Sequence, residues 1–143
     1  MTNAATAGGP VTFLNRTYEE TIELLVEARG YLAGDEPQDR ARMPACDRLL
    51  LALETTRLTT MLAHMVAWLL LQRAVAAGEI PREAAASPEH RLGGRELCTE
   101  LTGAGDNRLP LRLRTLMLRG QRLYARLSRL DEMILRDVGG PAG

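Results

Sequence analysis

The sequence predicts an all-α protein: an antiparallel three-helix bundle with a long central helix. Three observations lead there. Apolar residues recur at four-and-three spacing through three long segments, about residues 11–33, 44–77 and 110–136. No run alternates apolar and polar residues between turn signals, as a half-buried strand would. The composition is 45% apolar but only 3% aromatic, so the core must be aliphatic and rich in Leu, Ala and Met. The 143 residues suffice for one domain with one core. That domain is expected over residues 11–136, with flexible tails at 1–10 and 137–143.

In the first helix, Leu14, Tyr18, Thr21, Leu25, Ala28 and Leu32 form the apolar stripe. Glu19, Glu20, Glu23 and Glu27 lie on the other arc. Gly34 stands where a helix stop belongs. The polar stretch Asp35 to Arg42, which contains Pro37, reads as a loop. Pro44 suits the first turn of the second helix, and Gly78 closes it. Leu51, Leu58, Leu62, Met65 and Leu69 share one side of this helix; Thr56, Thr60, Ala63, Ala67 and Ala74 share another. With so much apolar surface it requires cover on more than one side. Residues 78–109 form an irregular connection with Pro81, Pro88 and the pair Gly93-Gly94. In the third helix, Leu109, Leu113, Leu116, Gly120, Leu123, Leu127, Leu130 and Ile134 keep a heptad seam. Gly120 on that seam predicts a close crossing.

Charge and cysteine content narrow the function classes. The formal net charge is zero, from 18 Arg and 18 acidic residues, so no global field collects nucleic acid or anionic membrane. Cys46 and Cys98 are far apart and form no C-x-x-C pair, which argues against a disulfide framework or a zinc site. The N-terminus lacks the pattern of a signal peptide. The most apolar stretch, Leu58 to Leu71, is shorter than the ~20 residues of a membrane span. A core helix and a cytoplasmic location are therefore expected.

Catalytic signals are weak. His64 sits inside an apolar helix and His90 in a loop, with no nucleophile motif beside either. Gly93-Gly94 lacks the flanking strand of a dinucleotide site. No E-x-x-H or H-x-x-x-H pair offers a metal site. No catalytic, cofactor or metal residue is assigned, and the protein is expected not to be an enzyme.

The candidate functional residues are instead surfaces. Arg108, Arg112, Arg119, Arg122, Arg126 and Arg129 fall within an arc of about 100° on the third helix, with no acidic residue between Arg108 and Leu130. This stripe is either a solvated face or a docking surface for an acidic protein. Nucleic acid is the weaker reading, because no aromatic residues are interleaved for stacking. Glu54 and Arg57 can pair at i and i+3, either at the surface or buried to fix register. His64 and Trp68 continue the Arg57 line as core or interface residues. Leu111 and Leu118, opposite the seam, are candidates for self-association.

The wording of several segments is distinctive. Leu53-Glu54-Thr55-Thr56-Arg57-Leu58-Thr59-Thr60 leads into Val66-Ala67-Trp68-Leu69-Leu70-Leu71-Gln72-Arg73-Ala74-Val75 and Gly78-Glu79-Ile80. Arg91-Leu92-Gly93-Gly94-Arg95-Glu96, Leu123-Tyr124 and Leu130-Asp131 follow. Tyr18-Glu19-Glu20 and Leu24-Leu25-Val26-Glu27-Ala28-Arg29-Gly30-Tyr31-Leu32 precede them. Over roughly residues 12–135 this resembles the alphaproteobacterial RcdA family, regulators of CtrA degradation. The resemblance implies a dimeric three-helix bundle that acts without catalysis. It would serve as an adaptor in cell-cycle proteolysis by ClpXP, binding other adaptors and cargo such as the response regulator CtrA. Only a few residues follow the last helix, so contacts made through a C-terminal extension are not carried over from the resemblance. A nucleic-acid-binding protein or a purely structural helical dimer is the alternative.

Overall fold

The computed structural model describes residues 3–96 and 103–139. Cys98 and the ends of both expected tails, residues 1–2 and 140–143, lie outside the described residues. The helices are α1 (Asn3–Ala33), α2 (Asp35–Ala41), α3 (Ala45–Ala76) and α4 (Leu111–Val138), with no strand among the described residues. Short 3-10 turns at Arg82–Ala86, Pro88–His90 and Gly103–Gly105 punctuate the connection between α3 and α4.

Two boundaries differ from the sequence reading. The helix α1 begins at Asn3, inside the stretch read as a tail, although that stretch contains the poor helix formers Gly8, Gly9 and Pro10. The segment read as a loop around Pro37 is helix α2. Pro37 is the third residue of α2, within the first turn, where no amide hydrogen is needed. The same proline ends α1: it has no N–H for the carbonyl of Ala33, and its ring would crowd that carbonyl. The chain breaks there at Gly34. At the far end of α3, Gly78 takes φ +77°. Its N–H donates to Val75 O (3.1 Å) and that of Glu79 to Ala74 O (2.9 Å), which closes the last turn by a paired C-terminal cap.

The three long helices pack pairwise around one aliphatic core. Leu51, Leu58, Leu62, Met65 and Leu69 of α3 are all buried, as their shared side predicts. On α1 the buried line runs through Thr17, Thr21, Leu24, Ala28 and Tyr31, sharing Thr21 and Ala28 with the predicted stripe. Leu14, Tyr18, Leu25 and Leu32 flank it, half-buried. Thr17 and Thr21 can be interior because their hydroxyls donate to the carbonyls of Phe13 and Thr17 (2.9 and 2.8 Å). Gly120 is the crossing point. A Cβ there would lie 2.5 Å from Met61 Cε and 3.4 Å from Leu58 Cδ1.

Helix direction departs from a simple up-down-up bundle. Tyr18 of α1 meets Arg73 of α3 (4.5 Å from ring centroid to guanidinium carbon), and Leu32 lines a groove with Thr55 to Thr60, so these helices are antiparallel. Between α1 and α4, Arg126 pairs with Glu20 and Arg119 with Glu27, again antiparallel. But α4 runs parallel to α3: Gly120 faces Leu58 and Met61, while Asp131 meets Trp68. The expectation of an antiparallel bundle fails for this pair. The reason is the connection, long enough to return the chain to the start of α3 before α4 begins. It packs as it goes, burying Ala85, Leu92 and Leu109.

Candidate functional site

The arginine stripe is divided by the structure. Arg119 and Arg126 turn inward along the α1–α4 seam and pair with Glu27 and Glu20, and Arg112 pairs with Asp35 at the start of α2. The Arg126–Glu20 distance is 2.8 Å. Glu20 and Glu27 step seven residues along α1 as Arg126 and Arg119 step seven along α4, as antiparallel helices in near-heptad register require, and Asp35 at the start of α2 extends the series. Arg108 belongs to the loop before α4. Its backbone N–H and Nε both donate to Asp106 Oδ1 (3.0 Å each), and Nη2 donates to Oδ2 (2.7 Å). These bonds hold the Asp106 carboxyl down at about 2. Arg122 and Arg129 are exposed and have no ionic partner among the described residues. Sequence reasoning missed the ladder although its signal was present: Glu20 and Glu27 are spaced by seven, like Arg119 and Arg126.

Glu54 is buried, with 3% of its side chain exposed, and accepts from Arg57 Nη1 at 2.9 Å. The second carboxylate oxygen of Glu54 is buried without a hydrogen bond, as is Nε2 of Gln72. This pair therefore lies within the protomer. Trp68 is also core: its Nε1–H donates to Asp131 Oδ1 (3.1 Å), while Arg91 donates from Nε and Nη2 to Oδ2 (3.3 and 3.0 Å). Asp131 is 3% exposed and so fastens both the connection and α3 to α4. His64 packs against Gly93 and Gly94. A Cβ on Gly93 would lie 2.7 Å from His64 Nδ1, and Gly94 has φ +80°. The Tyr124 hydroxyl donates to Gly93 O (2.6 Å). The double glycine is thus a seat for His64. Neither Asp131 nor Tyr124 carried a sequence signal beyond its place in the resemblance.

Leu111 (70% exposed) and Leu118 (42% exposed) do lie on the outer face of α4. A second bare surface follows α3, where Ala52, Thr56, Thr59, Ala63, Ala67 and Leu70 are exposed in line. The Thr56 and Thr59 hydroxyls donate to carbonyls of their own helix (both 2.8 Å), which makes the face effectively apolar. A largely apolar groove lined by Leu25, Ala28, Arg29, Leu32, Thr59 and Leu62 adjoins it. By length and composition α3 is apolar enough to cross a membrane. In the fold it packs between α1 and α4 and buries Glu54 and Gln72. Among the described residues no three His, Cys, Asp or Glu side chains converge as a metal set. Cys46 is an exposed free thiol.

The packing of this bundle is shared with a known protein. The crystal structure of RcdA from Caulobacter crescentus CB15 matches with a TM-score of 0.68 and 36% sequence identity, over 85% of this chain and 89% of that one. The chain belongs to the RcdA family. A family model described as a protein of unknown function (DUF1465) matches residues 10–142, so the membership spans nearly the whole sequence. No curated protein matches the chain.

Proposed function

We propose that this RcdA-family protein is a non-catalytic, cytoplasmic adaptor that delivers cargo, such as the response regulator CtrA, to ClpXP during the cell cycle. The observation that carries the reading is the 36% identity to RcdA over 85% of the chain. An adaptor acts by tethering. Binding cargo on one surface and a protease-associated partner on another raises their effective concentration without chemistry. Of the six arginines assigned to partner binding, Arg122 and Arg129 are the ones not engaged within the protomer. Arg112, Arg119 and Arg126 would have to exchange an internal carboxylate for an external one.

The proposed assembly is a homodimer. The exposed face of α3 suits a second copy, because it is uncharged, apolar and bordered by a groove. The outer face of α4 suits a copy less well, since a two-fold would bring arginines against arginines. Ala63→Glu at the centre of the α3 face is expected to give monomers by light scattering without loss of helicity. An unchanged dimer would move the interface elsewhere.

The test of function is degradation of CtrA by reconstituted ClpXP and its partner adaptors, with and without this protein. Faster degradation supports the adaptor reading. An unchanged rate for CtrA and every other cell-cycle cargo tried would reject it.

A further inference from the structure

The outer face of α4 carries more than the predicted stripe. Arg122, Arg129 and Arg136 recur at intervals of seven, all exposed and without an ionic partner among the described residues. Within the same arc of about 60° lie Leu111, Leu118 and Met133, three large apolar side chains at 70%, 42% and 53% exposure. No acidic residue lies inside that arc: Glu132, 3.7 Å from Arg95, and Asp137, beside Arg82, each lie about 40° beyond one of its edges.

We infer that this face is a docking site for an acidic amphipathic helix of a partner protein. Recurrence at seven is the period at which two helices crossing at a shallow angle stay in contact. Apolar residues of the occupant would cover Leu111, Leu118 and Met133, and its carboxylates would meet the three guanidiniums, which can bind them bidentately. Duplex nucleic acid fits less well, because phosphates would press against the leucines and no aromatic residue on this face could stack on a base. A lipid surface fits less well because three separated apolar side chains are too few to seat a helix in a membrane interface. A second copy meets like charge.

The assignment rests on the adaptor reading for the biological identity of the occupant. Its physical content is tested apart from degradation. The probe is a fluorescein-labelled designed peptide, helical, with Leu on one face and Glu on its flanks, titrated into the full chain. A counterpart carries Lys in place of Glu. The Glu peptide is expected to bind, to weaken about tenfold or more against Arg122→Glu/Arg129→Glu, and to be replaced there by the Lys peptide. Leu118→Asp should weaken binding as well, with circular dichroism confirming that each variant stays helical. The inference is overturned by no binding of the Glu peptide up to about 1 mM. Equal binding of both peptides, indifference to the double charge reversal, or tighter binding of duplex DNA or phosphatidylglycerol vesicles would overturn it too. Peptide binding without accelerated CtrA degradation would keep this surface and reject the adaptor reading; the reverse result would do the opposite.

Discussion

Replacing Asp131 should reveal how the connection is held to the bundle. Its two oxygens serve different partners, Oδ1 the indole of Trp68 and Oδ2 the guanidinium of Arg91. Asp131→Ala leaves the buried indole N–H without an acceptor, which costs about 1–3 kcal/mol. It also frees Arg91, but that side chain is 31% exposed and regains water, so its share is closer to ~1 kcal/mol than to the loss from a fully buried pair. The expected sum is about 3 kcal/mol, or a fall in Tm of about 6–12 °C for a chain of this size. Asp131→Asn keeps an acceptor for the indole and loses the charge, so it should cost about 1–2 kcal/mol. The assay is urea unfolding followed by the fluorescence of Trp68, the sole tryptophan, which reports its own hydrogen bond as well as the transition. Equal costs for the Ala and Asn variants, or a cost below about 0.5 kcal/mol for Ala, would refute the division of labour between the two oxygens.

Three further outcomes are expected. Gly120→Ala should be near neutral, because the helix gains up to ~1 kcal/mol while only the mobile end of Met61 has to shift; Gly120→Leu should lose about 1–3 kcal/mol by overpacking, and thermal melts distinguish the two. A double-mutant cycle of Glu27→Gln and Arg119→Gln should yield a coupling below about 1 kcal/mol that shrinks with added salt, since both groups are substantially exposed. Asp106 has a folded-state pKa below its ordinary value of 3.8, so its contribution to stability is present above that value and lost as pH falls through about 2. Carboxyl carbon shifts measured by NMR should show that midpoint, and Arg108→Ala should return it toward the ordinary value.

The helices were legible because their signals are local and redundant. Five α3 positions spaced along one side are all buried, and Gly78 supplies a cap that only a positive φ allows. Around Pro37, turn composition was outweighed by position, since proline in a first helical turn costs nothing. Helix direction was not legible at all. A heptad seam is compatible with either orientation, and the clues to the parallel α3–α4 pair are single contacts, such as Asp131 with Trp68, between residues 63 apart. The arginine stripe shows the same limit on the functional side. Its spacing was clear, but which cations remain free depends on where the acidic residues of α1 land.

The separation of the exposed faces of α3 and α4 has a consequence for the proposed adaptor. In a three-helix bundle the outward faces of two helices point in different directions, so covering one leaves the other open. A dimer formed through the uncharged face of α3 would leave the cationic face of α4 available on both protomers. Two equivalent docking faces in one dimer make binding bivalent, and a partner with two acidic helices would gain avidity without any new contact. Comparison of single and tandem Glu peptides on the native protein and on the Ala63→Glu variant tests this proposed dimer. The tandem probe should bind the dimer more tightly than the single probe by at least about tenfold, and the advantage should vanish on the monomer. An equal advantage on both would place the two probe sites on one protomer and separate dimerisation from recognition.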